Sequence, residues 1–255
     1  MEQQLKALIE RTLNATHPLA EAGAVADTKF LAVLLGIYRV SFTTLRDINR
    51  LASGDDAGPN ILGLTRRMIE HGISIEYMIL KGKEEMATRF QDYITVQMHE
   101  ELELLKSVGF NSSTLSAELQ INVAETEKAF AALPSGTKKD RSWAGINFEG
   151  MLSAVAGAGV IPAEDSPRFL SAYVWGCRAN HPNPLMTHTY LDISESKALE
   201  IFSTQLGLVM ALAVHLKLTT RLIDAAREAV GSNVYEEMAN SIASIQSDLA
   251  SVKVK

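Results

Sequence analysis

Along most of the chain, apolar residues recur every three to four positions, the spacing that places them on one side of an α-helix. Leu5, Leu8, Ile9 and Leu13 form the first stripe, which His17-Pro18 is expected to end because proline removes a helical donor. A second stripe runs through Phe30, Leu34, Ile37, Leu45, Ile48 and Leu51, with Asp27 as N-cap and the loop at 54–59 as its stop. Asn60 is expected to cap a third helix reaching about Leu80, closed by Gly82. A fourth runs from about Glu84 to Val108, and a fifth from Ser112 or Ser113 to Pro134. Residues 134–147 have no helical period and mark the clearest internal boundary. Beyond them come a short helix from Phe148 to Gly157 and another from Ser166-Pro167 to about Ala179. A long apolar helix follows from Ser194 or Ser196 to about Leu218. A last stripe uses Leu222, Ile223, Val230, Met238, Ile242, Ile245 and Leu249, with a break at 231–233. No strand-like alternation is evident. The pattern predicts an all-α, antiparallel bundle of about eight to ten helices forming one domain over residues 1–255.

Composition narrows the function classes. The chain has 24 Lys and Arg against 30 Asp and Glu, a net charge of −6. That balance argues against a sequence-independent nucleic-acid coat, which needs a cationic surplus to neutralise phosphates. One cysteine, Cys177, excludes an internal disulfide and any multi-cysteine metal cluster. The first residues lack the apolar core of a secretory signal, and the run from Leu206 to Leu216 is about half of a bilayer span. The expectation is a cytoplasmic protein without a membrane partner.

Few polar residues interrupt the apolar helices, and these are the candidates for chemistry. Arg66 and Glu70 are four apart and share a helical face, where a carboxylate can orient a guanidinium toward a phosphate or carboxylate ligand. The same pair serves equally well as a boundary salt bridge. His71 follows as a candidate base, or as a plain helix histidine. Arg178 and His181 stand at the end of a helix before the stiff His-Pro-Asn-Pro turn at 181–184; His181 can act as a base or simply cap the helix. Trp143, with Lys138, Lys139 and Arg141 before it, can stack a base or plug the loop onto the bundle. Metal ligation looks poor: His188 and Asp192 are four apart, and His99-Glu100-Glu101 lacks a metalloprotease spacing. No Walker loop or dinucleotide fingerprint is present, so no cofactor is expected.

Two resemblances bear on these residues. The spacing Arg66-x4-His71 is similar to the Arg-x4-6-His motif of the higher-eukaryote and prokaryote nucleotide-binding superfamily, which includes metal-independent ribonucleases. The order Arg66-x3-Glu70, Tyr77, Glu84-Glu85, Arg89-Phe90, Tyr93, Trp143-Ala144-Gly145 and Tyr173 to Pro184 resembles the bacterial all-helical family catalogued as domain of unknown function 5677. That resemblance covers about residues 30–215, and Arg66, Glu70, Trp143 and His181 match its motifs. It implies a helical fold and no established activity. Three readings follow: a pocket of Arg66, Glu70 and His181, with Trp143 nearby, for a small anion or RNA phosphate; a ribonuclease using Arg66 with His181 or His71; and a non-catalytic homodimeric module using the terminal helices and some of the nine methionines.

Overall fold

The computed structural model describes residues 1–21, 28–54, 57–111, 122–139, 142–162, 165–180, 193–230 and 235–252. Among these residues there are nine α-helices and one 3-10 turn. In chain order the helices are α1 (Glu2–Glu21), α2 (Lys29–Leu51), α3 (Gly58–Lys81), α4 (Lys83–Ser107) and α5 (Val123–Ala132). The turn Thr137–Lys139 precedes α6 (Phe148–Gly157), α7 (Ser166–Asn180), α8 (Ile193–Val230) and α9 (Glu236–Ala250). No strand occurs among the described residues.

Local chemistry explains several of the boundaries. The Thr28 hydroxyl accepts from the Leu31 amide and starts α2. Asn122 and Asn147 cap α5 and α6 in the same way, accepting from the Glu125 and Gly150 amides. Several expectations are corrected: Thr28 rather than Asp27 caps α2, and α3 starts at Gly58, with Asn60 inside its first turn rather than capping it. Helix α1 does not end at His17-Pro18 but continues to Glu21. Leu19, 4% exposed, is anchored in the core, and the Thr16 carbonyl accepts from the Tyr38 hydroxyl, so tertiary contacts hold the turn that proline weakens. The apolar helix does not stop near Leu218 either. It runs on to Val230, and Leu222 and Ile223 belong to it rather than to the last helix.

Helix α8 is the spine of the bundle. Its 38 residues extend roughly 57 Å, and α1, α2, α3 and α9 pack along it. Within it, Ser196–Arg227 is long and apolar enough to cross a membrane by composition alone; 61% of its most apolar window is buried inside the bundle. An apolar surface on most sides is what a helix surrounded by neighbours requires.

Neighbour directions follow from the contacts. Lys6 reaches Ala52 and Thr16 reaches Tyr38, so α1 and α2 are antiparallel. Helices α3 and α7 are antiparallel too, since Gly63 lies against Asn180 and Arg66 against Gly176 and Tyr173. The central pair departs from the antiparallel expectation. Gly58 meets Glu200, Thr65 bonds the Gly207 carbonyl at 3.1 Å, Gly72 touches Val214 and Glu76 binds Arg221, so α3 and α8 run parallel. Short loops enforce antiparallel pairs, whereas four of the described helices intervene between these two.

Glycines let α3 lie close to both partners. A Cβ on Gly176 of α7 would sit 2.5 Å from the Arg66 Cβ and 2.6 Å from the Leu62 carbonyl oxygen. A Cβ on Gly207 of α8 would sit 2.5 Å from the Ile61 Cγ2. Gly176→Ala is expected to force α7 off α3 at a net cost of about 1–3 kcal/mol despite alanine's better helix propensity. Gly36→Ala on α2, where a Cβ meets nothing within 4 Å, is expected to stabilise by roughly 0.5–1 kcal/mol. Urea unfolding midpoints of the two variants should therefore move in opposite directions.

Candidate functional site

Arg66 and Glu70 do form a pair, with Nη2 donating to Oε1 at 2.8 Å. Both side chains are partly covered, 25% and 34% exposed, because the Gly176 crossing brings α7 over them. Tyr173, one turn before Cys177 on α7, puts its ring 5.3 Å from the guanidinium carbon. Tyr173 is itself braced by Phe148 of α6, stacked at 3.9 Å and 17°. Burial works against the charge of Arg66, but Glu70, the Cys177 sulfur and the Tyr173 oxygen outweigh it and hold its pKa above the ordinary value. Burial, then Cys177, pushes the Tyr173 hydroxyl pKa up. The Arg66 Nε is enclosed and has no hydrogen-bond partner. Buried donors are rarely left in that state.

The other candidates are dispersed. His71 lies five residues after Arg66, about 140° round the helix, so the two do not share a face. Its ring is largely enclosed, Nδ1 has no partner, and burial, with Arg67 adding, lowers its pKa. Trp143 packs edge-on against Tyr77 and Phe90, at 6.1 and 5.3 Å between ring centroids. Tyr77 is eleven residues from Arg66, roughly 16 Å along α3, so Trp143 closes the loop onto a different stretch of the bundle. Arg178 lies 5.1 Å over Trp175, whose edge meets Phe202 of α8. Lys138 donates to the Ala131 carbonyl and lies over Phe130, 5.3 Å away. His181, His188, Asp192 and Arg141 lie outside the described residues. Among the described residues no three His, Cys, Asp or Glu side chains group to hold a metal.

Two polar clusters escaped the sequence reading. The first surrounds His215, a fully buried residue of α8. Thr16 donates its hydroxyl hydrogen to the Thr12 carbonyl, so its oxygen accepts from His215 Nε2, 3.4 Å away. That leaves Nδ1 to accept from the Ser41 hydroxyl at 3.0 Å. Tyr38 stacks on the ring at 5.2 Å. Burial pushes the His215 pKa down to about 3 and that of Tyr38 up to about 12. A hydroxyl–imidazole pair is a nucleophilic motif, but Ser41 and His215 are both 0% exposed and no substrate reaches them. It is a polar pin between α1, α2 and α8.

The second cluster joins α3 to α8. Glu76, 2% exposed, accepts from Arg221 Nε and Nη2, each at 2.9 Å, and faces Lys217 Nζ at 3.7 Å. Lys217 also donates to the Val160 carbonyl, and burial, with Arg221 beside it, lowers its pKa against the pull of Glu76.

A helical bundle with an arginine–carboxylate–tyrosine cluster at one crossing is the class these features define. Residues 31–198, about two thirds of the chain, match the model of a family of unknown function (DUF5677), and the chain belongs to that family. No curated protein and no solved structure matches it. The matched segment contains α3 to α7, hence Arg66, Glu70, Trp143 and Tyr173, and stops near the start of α8.

Proposed function

We propose that this protein binds a small anionic group, a phosphate or carboxylate, where α3 crosses α7, with Arg66 as the principal donor. The observation that carries this reading is the state of the Arg66 guanidinium. It is oriented by Glu70 and Tyr173, held close by Gly176, and keeps an enclosed Nε with no partner. The side chain is 25% exposed, so an anion meets the open edge of the guanidinium and not the enclosed Nε. Glu70 disfavours a fully ionised ligand beside it but accepts from a hydroxyl. A group carrying both acidic oxygens and an O–H suits the pair best.

Calorimetric titration with inorganic phosphate and with adenosine monophosphate tests the reading. Arg66→Gln is expected to weaken binding at least about tenfold, the worth of one charge-assisted hydrogen bond. Glu70→Gln is expected to change affinity while leaving the melting temperature nearly unmoved, since an i,i+4 pair still a quarter to a third exposed stabilises little. Binding by Arg66→Gln at wild-type strength would refute the proposal.

A further inference from the structure

Helix α4 leaves the bundle partway along its length. Met86, Ala87 and Phe90 anchor its first turns in the main core. Farther on, Leu102 joins Val123 and Leu105 in a separate small cluster, and α5 rests chiefly on α4. His99 stacks on Phe130 of α5 at 3.7 Å, and Lys106 donates to Glu103 and Glu127 at 2.9 and 2.7 Å. Helix α5 thus covers one side of this arm. The side next to it is open and apolar. Ile94, Met98, Leu104 and Val108 are 44%, 50%, 63% and 64% exposed. Ile94, Met98, Glu101, Leu105 and Val108 follow one another in alternating steps of four and three, the register of a two-helix seam roughly 21 Å long.

The middle of the seam is acidic. Glu101 stands between Met98 and Leu105, Glu100 and Glu103 are close by in the chain, and all three are exposed. Lys106 is engaged by Glu103 and Glu127, while Glu100 and Glu101 have no ion-pair partner among the described residues. That pattern selects the occupant. A second copy laid along the seam, parallel in register or about a two-fold axis at its middle, sets Glu101 against Glu101, and covering like charges without a counter-charge is costly. Residues 112–121 hold one glutamate and no Lys or Arg, so they lack the complementary charge. We infer that the α4 seam docks a basic amphipathic helix of another protein, with apolar residues at heptad spacing and Lys or Arg opposite Glu100 and Glu101.

Fluorescence anisotropy on the full chain reads this with a labelled synthetic helix of about three heptads, leucine on one face and lysine on the other. That peptide is expected to bind saturably, at least about tenfold more tightly than the same residues in scrambled order or a leucine–glutamate counterpart. The double variant Met98→Ser, Val108→Ser removes apolar area and keeps every charge. It is expected to weaken binding about tenfold with an unchanged melting temperature, because both side chains are already half exposed or more. Glu101→Lys is expected to weaken the lysine helix and to admit the leucine–glutamate one. A diffuse attraction to the net charge of −6 would not reverse at a single residue. The inference is overturned if wild type shows no saturable binding, if the scrambled peptide binds as tightly, or if either variant binds like wild type. It is overturned in favour of a second copy if the free chain sediments as a dimer that Met98→Ser, Val108→Ser dissociates.

Discussion

His215→Ala is expected to unfold at a temperature about 10 °C below wild type. The ring is fully enclosed between Tyr38 and Phe42, so truncation leaves a cavity that the surrounding helices fill incompletely. It also strands the Ser41 hydroxyl, which has His215 Nδ1 as its acceptor. Together the cavity and the orphaned donor cost roughly 3–4 kcal/mol, and a chain of this size loses about 2–4 °C per kcal/mol. His215→Phe keeps the volume and loses only the polar contacts, so roughly 1–3 kcal/mol is expected. Equal losses for the two variants, measured by urea unfolding, would show that the cavity contributes nothing and that the polar contacts carry the whole effect.

The same residue sets a dependence on acid. Folded, His215 takes up a proton only near pH 3, whereas in the unfolded chain it does so near 6.5. Between those values the unfolded state binds more protons, so stability rises with pH. The contribution is complete above about pH 6.5 and drains away as pH falls toward 3, by up to about 1.4 kcal/mol per pH unit. His71, with its pKa also lowered by burial, acts in the same direction. His215→Phe should flatten this part of the stability–pH curve and leave the alkaline side unchanged.

Glu76→Ala is expected to destabilise by about 2–4 kcal/mol. The carboxylate is nearly inaccessible, and its removal leaves Arg221 and Lys217 facing each other without a counter-charge. The loss of one partner of a deeply buried pair is larger, but both cations are a third exposed and regain water. Glu76→Gln retains an acceptor for Arg221 and should cost less. In a double-mutant cycle, Glu76→Ala with Arg221→Ala should give a coupling of about 1–3 kcal/mol. Additive losses would mean that the contact seen between α3 and α8 carries no interaction energy.

These two residues show where sequence reading reaches its end. The apolar periodicity located the helices because each buries one stripe; α6 was legible at both ends, from Phe148 to Gly157. Periodicity broke down where tertiary contacts supplied what local chemistry withheld. Pro18 was outvoted by Leu19 and by the bond from Tyr38. The apolar stretch was expected to end near Leu218, where polar residues begin, yet Arg221 is polar because Glu76 waits opposite. The Arg66–Glu70 pair was legible from its spacing alone. The Tyr173 ring over it was not, since nothing along the chain shows that Gly176 lets α7 approach. His215 stood in the open as a polar interruption of an apolar run, and that interruption was the available sign of a buried partner. The parallel course of α3 and α8 had no local signature, because it depends on which of many apolar faces meet.

The parallel pairing bears on how this protein is taken apart. The family match ends at residue 198, six residues into a 38-residue helix. A recombinant piece trimmed to that limit would keep Arg66, Glu70 and Tyr173 but strip Thr65, Gly72 and Glu76 of the partners that seat α3. Such a truncation should emerge insoluble or molten, and a silent ligand screen run on it would reflect the missing backbone of the bundle rather than an inert crossing.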